Sequence, residues 1–215
     1  MKYAENEINT LRGAMKERLS EKRYNHTLGV EKMAMLIGKK CLPSMVDKLR
    51  VAALLHDISK EYSEAEHLFL INKYSVPVGK EDLREPALWH SFTAAAAVRE
   101  SFPQFADEDV LSAVFNHTVG SPDMTVFDEI ILLSDYIEEG RTYENCVNLR
   151  REFLEELSTA KSEEECVLAL HRAVAKSLDN NINEFISRGK NFHVRTKLTR
   201  DAVYNLLGRK SNGKN

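Results

Sequence analysis

No stretch of this chain is apolar for long enough to cross a bilayer. The longest segments free of Lys, Arg, Asp and Glu are 13 residues, Pro86–Val98 and Val110–Pro122, against the ~20 a spanning helix needs. The amino terminus MKYAENEINT carries acids and no apolar block, so no secretory leader is expected. Cysteine is scarce: Cys41, Cys146 and Cys166 are odd in number and form no CxxC pair, which argues against a disulfide framework or a structural zinc site and for a reducing, cytoplasmic setting. Glycine (9) and proline (5) are few and aromatics are only 8%, too little turn chemistry for an all-β design. Charge of one sign is lacking as well. The net charge is −3, so no positive field draws the chain to nucleic acid or to an acidic membrane.

What is there is helical periodicity. Val30, Met33, Ala34, Ile37 and Cys41 repeat at the spacing of a buried helix face, and Pro43 closes the run. Ser44 with Asp47 reads as the start of the next helix, with Val46, Leu49, Ala52 and Ala53 as its apolar stripe. Ser63 with Glu66, and Ser162 with Glu165, match the capping box, in which two side chains satisfy orphaned backbone donors. Pro86 suits the first turn of a helix over Ala87–Ser101. Asp107 and Thr125 are candidate caps for helices reaching about Asn116 and Glu139, with Gly140 as a left-handed stop. A long pattern follows over about Glu163–Arg188 and a last short one over about Arg200–Leu207. The expectation is an all-α bundle of roughly eight to ten helices. It is read as one domain over 1–208, with a core at about 20–143, a helical extension at about 144–208 and a disordered tail at 209–215.

Histidine carries the chemical interest. His26, His56, His90 and His117 each lie on or at the end of an expected helix with apolar neighbours one turn away, while Asp57 and Asp135 follow the apolar runs VAALL and EIILLS. A buried carboxylate is costly unless paired or bound to metal. Imidazole together with carboxylate suits iron, manganese or zinc, whereas an all-oxygen set would suit magnesium or calcium. Taken singly, each histidine is more readily read as a satisfied core residue. The ordered set across separate helices is what distinguishes this chain. His67 and His171 have no acidic companion from that ordered set and are read as structural or surface residues; Trp89 is read as core and the acidic runs as solvated faces.

The order H…HD…D, with two further histidines before the last acid, resembles the HD-domain metal-dependent phosphohydrolases. The words RYNHTLGV, ALLHDISK, WHSFTAAAAV, NHTVGSPDMT and LLSDYIEEGRTY are similar to the YqeK-type branch, the symmetrical diadenosine tetraphosphate hydrolases of bacteria. The likeness covers about Arg23–Tyr143 and returns faintly in HVRTKLTRDA. It departs at Glu139, Val119 and Val194, where Pro, Thr and Pro are usual, and it leaves all six candidate ligands in place.

The resemblance implies that His26, His56, Asp57 and Asp135 hold a divalent metal, iron first, with manganese or another transition metal next. His90 and His117 then either hold a second ion or contact phosphate, and Asp57, His90 and His117 form the catalytic group. A divalent ion lowers the pKa of its bound water from ~15.7 towards ~7. The hydroxide so formed would cleave diadenosine tetraphosphate into two ADP. Nucleotide contacts are expected from Arg23, Lys60, His90, His117, Thr118, Asp135, Arg141, His193, Arg195, Thr196 and Arg200. The partner is then a small dinucleoside polyphosphate or ADP, with no nucleic acid and no membrane, and a homodimer is left open. The rivals are an HD phosphohydrolase acting on deoxynucleotides or guanosine alarmones, a non-catalytic nucleotide-sensing module, and a di-iron oxygenase.

Overall fold

A computed structural model describes residues 2–212. Among them lie eleven α-helices and three short 3-10 turns, with no strand. In chain order these are α1 (Glu5–Arg18), α2 (Glu21–Cys41), α3 (Val46–Leu55), α4 (Glu64–Lys73), α5 (Lys80–Leu83), α6 (Trp89–Ser101), α7 (Glu108–Asn116), α8 (Val126–Ile137), α9 (Glu144–Thr159), α10 (Glu163–Ser187) and α11 (Val194–Asn212). The all-α reading holds. The count passes ten because α5 is a single four-residue turn between loops.

The core forms where the sequence placed its apolar stripes. Val30, Met33, Ala34, Ile37 and Cys41 are all buried on α2, which packs against α3, α8 and α10. Each large apolar side chain fully buried in this way stabilises the fold by about 1.5–3 kcal/mol. Helix α6 is buried from Trp89 through Val98. Its run of four alanines lets α4 and α7 approach closely, and that brings the start of α6, with His90, into the interior. Trp89 is part of this packing: it is 5% exposed and donates Nε1–H to the Asp82 carbonyl.

The caps explain where helices begin. Ser63 and Glu66 form the expected reciprocal box. Asp107 caps α7 and Thr125 caps α8. At α10 only half of the box forms, because Ser162 accepts from the Glu165 N–H while Glu165 itself accepts from the Lys161 N–H. Two expected start and stop signals are corrected. Ser44 caps nothing, since Pro43–Met45 is a 3-10 turn and the Asp47 carboxylate instead accepts from the backbone N–H groups of Lys2 and Tyr3, fastening the amino-terminal segment. Gly140 is no left-handed stop. Helix α8 ends at Ile137, and among the described residues only Gly120 and Gly189 are glycines of positive φ.

The last helix begins at Val194, six residues before the expected Arg200, and continues to Asn212. Thr199 Oγ1 lies 3.2 Å from the Val119 carbonyl, against Gly120 at φ +70°. A Cβ on Gly120 would stand 2.6 Å from the Thr199 methyl. Of the expected carboxyl-terminal tail, residues 213–215 lie outside the described residues.

Candidate metal centre and nucleotide pocket

The six candidate ligands come from five helices and meet in one place. His26 stands in the second turn of α2. His56 and His117 cap the carboxyl ends of α3 and α7, His90 is the second residue of α6, and Asp135 lies in the last turn of α8. Asp57 follows His56 where the chain tightens into successive three-residue turns, Ile58 N–H to Leu55 O and Lys60 N–H to Asp57 O. That tightening lets two neighbouring side chains point inward together.

Two clusters result, each with its donor atoms within 4.8 Å of one another: His26, His56 and Asp135, and Asp57, His90 and His117. Asp57 joins them. Its Oδ2 is 3.4 Å from His56 Nε2 and 3.8 Å from His26 Nε2, while its Oδ1 is 3.6 Å from both His90 Nε2 and His117 Nε2. His26 Nε2 is 3.0 Å from Asp135 Oδ1.

The donor set fits a cation. Nδ1 of His56, His90 and His117 each lies 2.7–2.9 Å from a backbone carbonyl, that of Ala53, Ala87 and Val114 respectively. Nδ1 must therefore carry the proton, and the Nε2 lone pairs face inward. Several imidazole lone pairs and two carboxylates converging in a buried space need positive charge between them. The electrostatics agree. Burial opposes ionisation of Asp57 and Asp135. Even so, His56 and His117 hold the first well below the usual carboxylate range, and His26 and Arg141 do the same for the second. Burial also opposes a charge on His26, yet Asp135 and Glu138 push it up to about 9. His90 moves the other way, lowered by burial and by the neighbouring His117 and Lys60.

Basic groups ring the cluster. Arg23 Nη1 is 2.7 Å from Asp57 Oδ2, Lys60 Nζ is 3.0 Å from His90 Nε2, and Arg141 Nη2 is 2.6 Å from Asp135 Oδ1. Burial lowers the Lys60 pKa. Thr118 Oγ1 lies 3.3 Å from His90 Nε2. Three cavities open on these residues. The first, about 470 Å³, is lined by His117, Thr118, Asp135 and Arg141 together with the exposed Tyr143. The second, about 340 Å³, touches Lys60, Trp89 and His90. The third, about 260 Å³, is more apolar and holds Thr118, His193 and Thr196.

Two of the nucleotide contacts expected from the sequence stand elsewhere. The Arg195 guanidinium lies over the Phe92 and Phe115 rings at 5.3 and 5.5 Å. Arg200 pairs with Asp201 at 2.7 Å and Asp179 at 3.4 Å. Arg195 also lies 3.7 Å from Asp82, which His193 contacts at 3.0 Å, and neither arginine lines the cavity that His193 and Thr196 reach. His67 and His171 are both buried. His67 Nδ1 is 2.7 Å from Thr93 Oγ1, and His171 donates to Glu129 at 2.7 Å between α10 and α8. All three cysteines are buried.

Sequence reasoning missed Glu138. It is 3% exposed and lies 3.2 Å from His26 Nδ1. The available signal was an acid three residues after Asp135, on the same face of the chain as it leaves α8.

The sequence matches the HD domain family over residues 23–140, which spans every candidate metal ligand. The chain is an HD-domain hydrolase. Curated relatives agree. The symmetrical bis(5'-nucleosyl)-tetraphosphatase of Bacillus subtilis is 34% identical over 64% of this chain and 72% of its own. The protein of the same name from Halalkalibacterium halodurans is 31% identical over 90% and 92%. A crystal structure from Clostridium acetobutylicum, described as a predicted HD superfamily hydrolase involved in NAD metabolism, superimposes with a TM-score of 0.77. It is 28% identical, covering 92% of this chain and 96% of that one. No helix among the described residues is long and apolar enough to cross a membrane.

Proposed function

We propose that this HD-domain hydrolase cleaves diadenosine tetraphosphate symmetrically into two ADP, with His26, His56, Asp57 and Asp135 holding a divalent metal and iron as its first occupant. The observation that carries the reading is Asp57, one carboxylate with an oxygen turned to each half of a six-residue imidazole and carboxylate set. The names of the curated relatives supply the substrate class. Imidazole with carboxylate suits iron, and manganese nearly as well. A bound divalent ion supplies Lewis-acid polarisation and acidifies water at neutral pH.

The chain's own groups do the rest. Lys60, Arg141 and Arg23 surround the cluster and offset the charge of a polyphosphate and the charge that develops as the central anhydride breaks. His90 and His117, with Thr118 beside them, face the same space and contact phosphate or complete a second cation position. The cavities opening on Asp135 and Arg141 and on Lys60 and His90 give a long dinucleotide room on more than one side of the centre. His193 and Thr196 line a further cavity suited to part of a nucleoside. Water adds across the central phosphorus–oxygen bridge, and the departing ADP leaves as an anion. The substrate is a small molecule, and a cytoplasmic location accords with that and with the free thiols.

Product chromatography tests the reading. Metal-loaded protein supplied with diadenosine tetraphosphate should release ADP alone. Nucleoside with orthophosphate would make it a nucleotidase, ADP binding without turnover would make it a sensor, and dioxygen uptake would make it an oxygenase.

A further inference from the structure

Three of the four clustered imidazoles are oriented by their own backbone. His56, His90 and His117 donate Nδ1–H to the carbonyl three residues earlier. Each can do so because it stands at a helix end, where carbonyls and ring geometry are less constrained. His26 cannot. It is the sixth residue of a 21-residue helix, inside which the carbonyls already serve the helix. Its Nδ1 turns to Glu138 Oε1 instead, at 3.2 Å.

The Glu138 carboxylate is itself held from two directions. The Gly140 N–H donates to Oε2 at 2.5 Å. A Cβ on Gly140 would stand 2.9 Å from both carboxylate oxygens, and a Cβ on Gly29, one turn along α2 from His26, would overlap Oε2 outright. Glycine at both positions leaves the acid its one seat. The two cation positions around Asp57 therefore differ. Each has a cation beside a ligand: Arg141 pairs with the Asp135 carboxylate, and Lys60 approaches the metal-facing nitrogen of His90 itself. Only the first has a histidine backed by a carboxylate.

We infer that Glu138 is a positioning residue that fixes the tautomer and plane of His26 and makes His26–His56–Asp135 the tighter of the two cation positions. A carboxylate behind a ligating imidazole raises its basicity and locks its ring, and losing such a partner typically weakens metal binding by about 10–100-fold. The inference rests on the reading of the cluster as a metal centre.

The test uses the full-length chain, stripped with chelator and titrated with manganese(II), with the cobalt(II) ligand-field spectrum as a second readout. Glu138→Gln removes the charge; Gly140→Ala keeps the charge and displaces it. Both should weaken the tighter constant by about 10–100-fold and alter the cobalt spectrum, while the metal-free melting temperature stays near that of the wild type. A wild-type tight constant and spectrum in both variants would overturn the inference, as would weakening confined to the looser position. Should Glu138→Gln fail to fold, Gly140→Ala decides alone. If the wild type takes up no manganese, the reading of the centre itself fails, a result separate from any difference between variants.

Discussion

His26 Nε2 and His56 Nε2 lie 3.3 Å apart, brought together from α2 and the end of α3. With Glu138 and the Ala53 carbonyl at the two Nδ1 atoms, two electron-rich nitrogens face each other beside Asp57 and Asp135. Such an arrangement calls for positive charge between the groups, from a bound cation or from the proton that Asp135 and Glu138 favour on His26.

Asp57 serves both halves of the cluster, so its loss should be felt in both. Asp57→Asn keeps the shape and removes the charge. We expect metal content and hydrolysis to fall together to background, measured by elemental analysis beside product chromatography. His56→Ala should behave alike. Full activity in either variant would reject their assignment as ligands.

Lys60, beside His90 and on a cavity wall, is proposed to meet phosphate without ligating metal. A hydrogen bond to a charged group contributes about 1.5–3 kcal/mol, so Lys60→Ala should raise KM by about 10–100-fold with the metal retained. Loss of metal in that variant would assign Lys60 to the support of His90 instead.

The fold of the HD-domain part was legible because its helices are amphipathic and its candidate ligands sit beside apolar runs. Asp57 follows VAALL and His117 follows Val114 at the same face, so burial of the stripe carries the ligand inward. Glu138 was not legible. It lies past the end of α8, and its role depends on where Gly29 passes, a relation no local pattern encodes. Arg200 shows the converse: it looked available in sequence, yet it pairs with Asp179 and Asp201. Gly140 was singled out correctly and for the wrong reason, since its missing Cβ matters for the close approach of Glu138 and its φ does not.

The buried pair His171–Glu129 ties α10 to α8 at 2.7 Å. Removing one partner of such a pair leaves the other buried and uncompensated, at a cost of about 3–5 kcal/mol. His171→Ala should therefore lower the unfolding free energy measured by urea titration strongly, and a loss below ~1 kcal/mol would show that α10 docks by apolar packing alone.

Asp107 gives a stability signature at acid pH. Burial opposes its charge, but Lys2 and Lys48 outweigh burial and lower its carboxyl to about 2. A folded-state pKa below the unfolded one means that the contribution is complete above about pH 4 and fades as the pH falls towards 2. Asp107→Asn should thus be less stable than the wild type by about 1 kcal/mol at neutral pH. The two melting temperatures should converge near pH 2, and a gap unchanged with pH would contradict the ion pairing.

The most direct test is anomalous diffraction from crystals grown with manganese(II). We expect the strongest peak among the side chains of His26, His56, Asp57 and Asp135. A fully occupied ion elsewhere on the chain, with those four side chains free of metal, would contradict the assignment of this cluster as the catalytic centre.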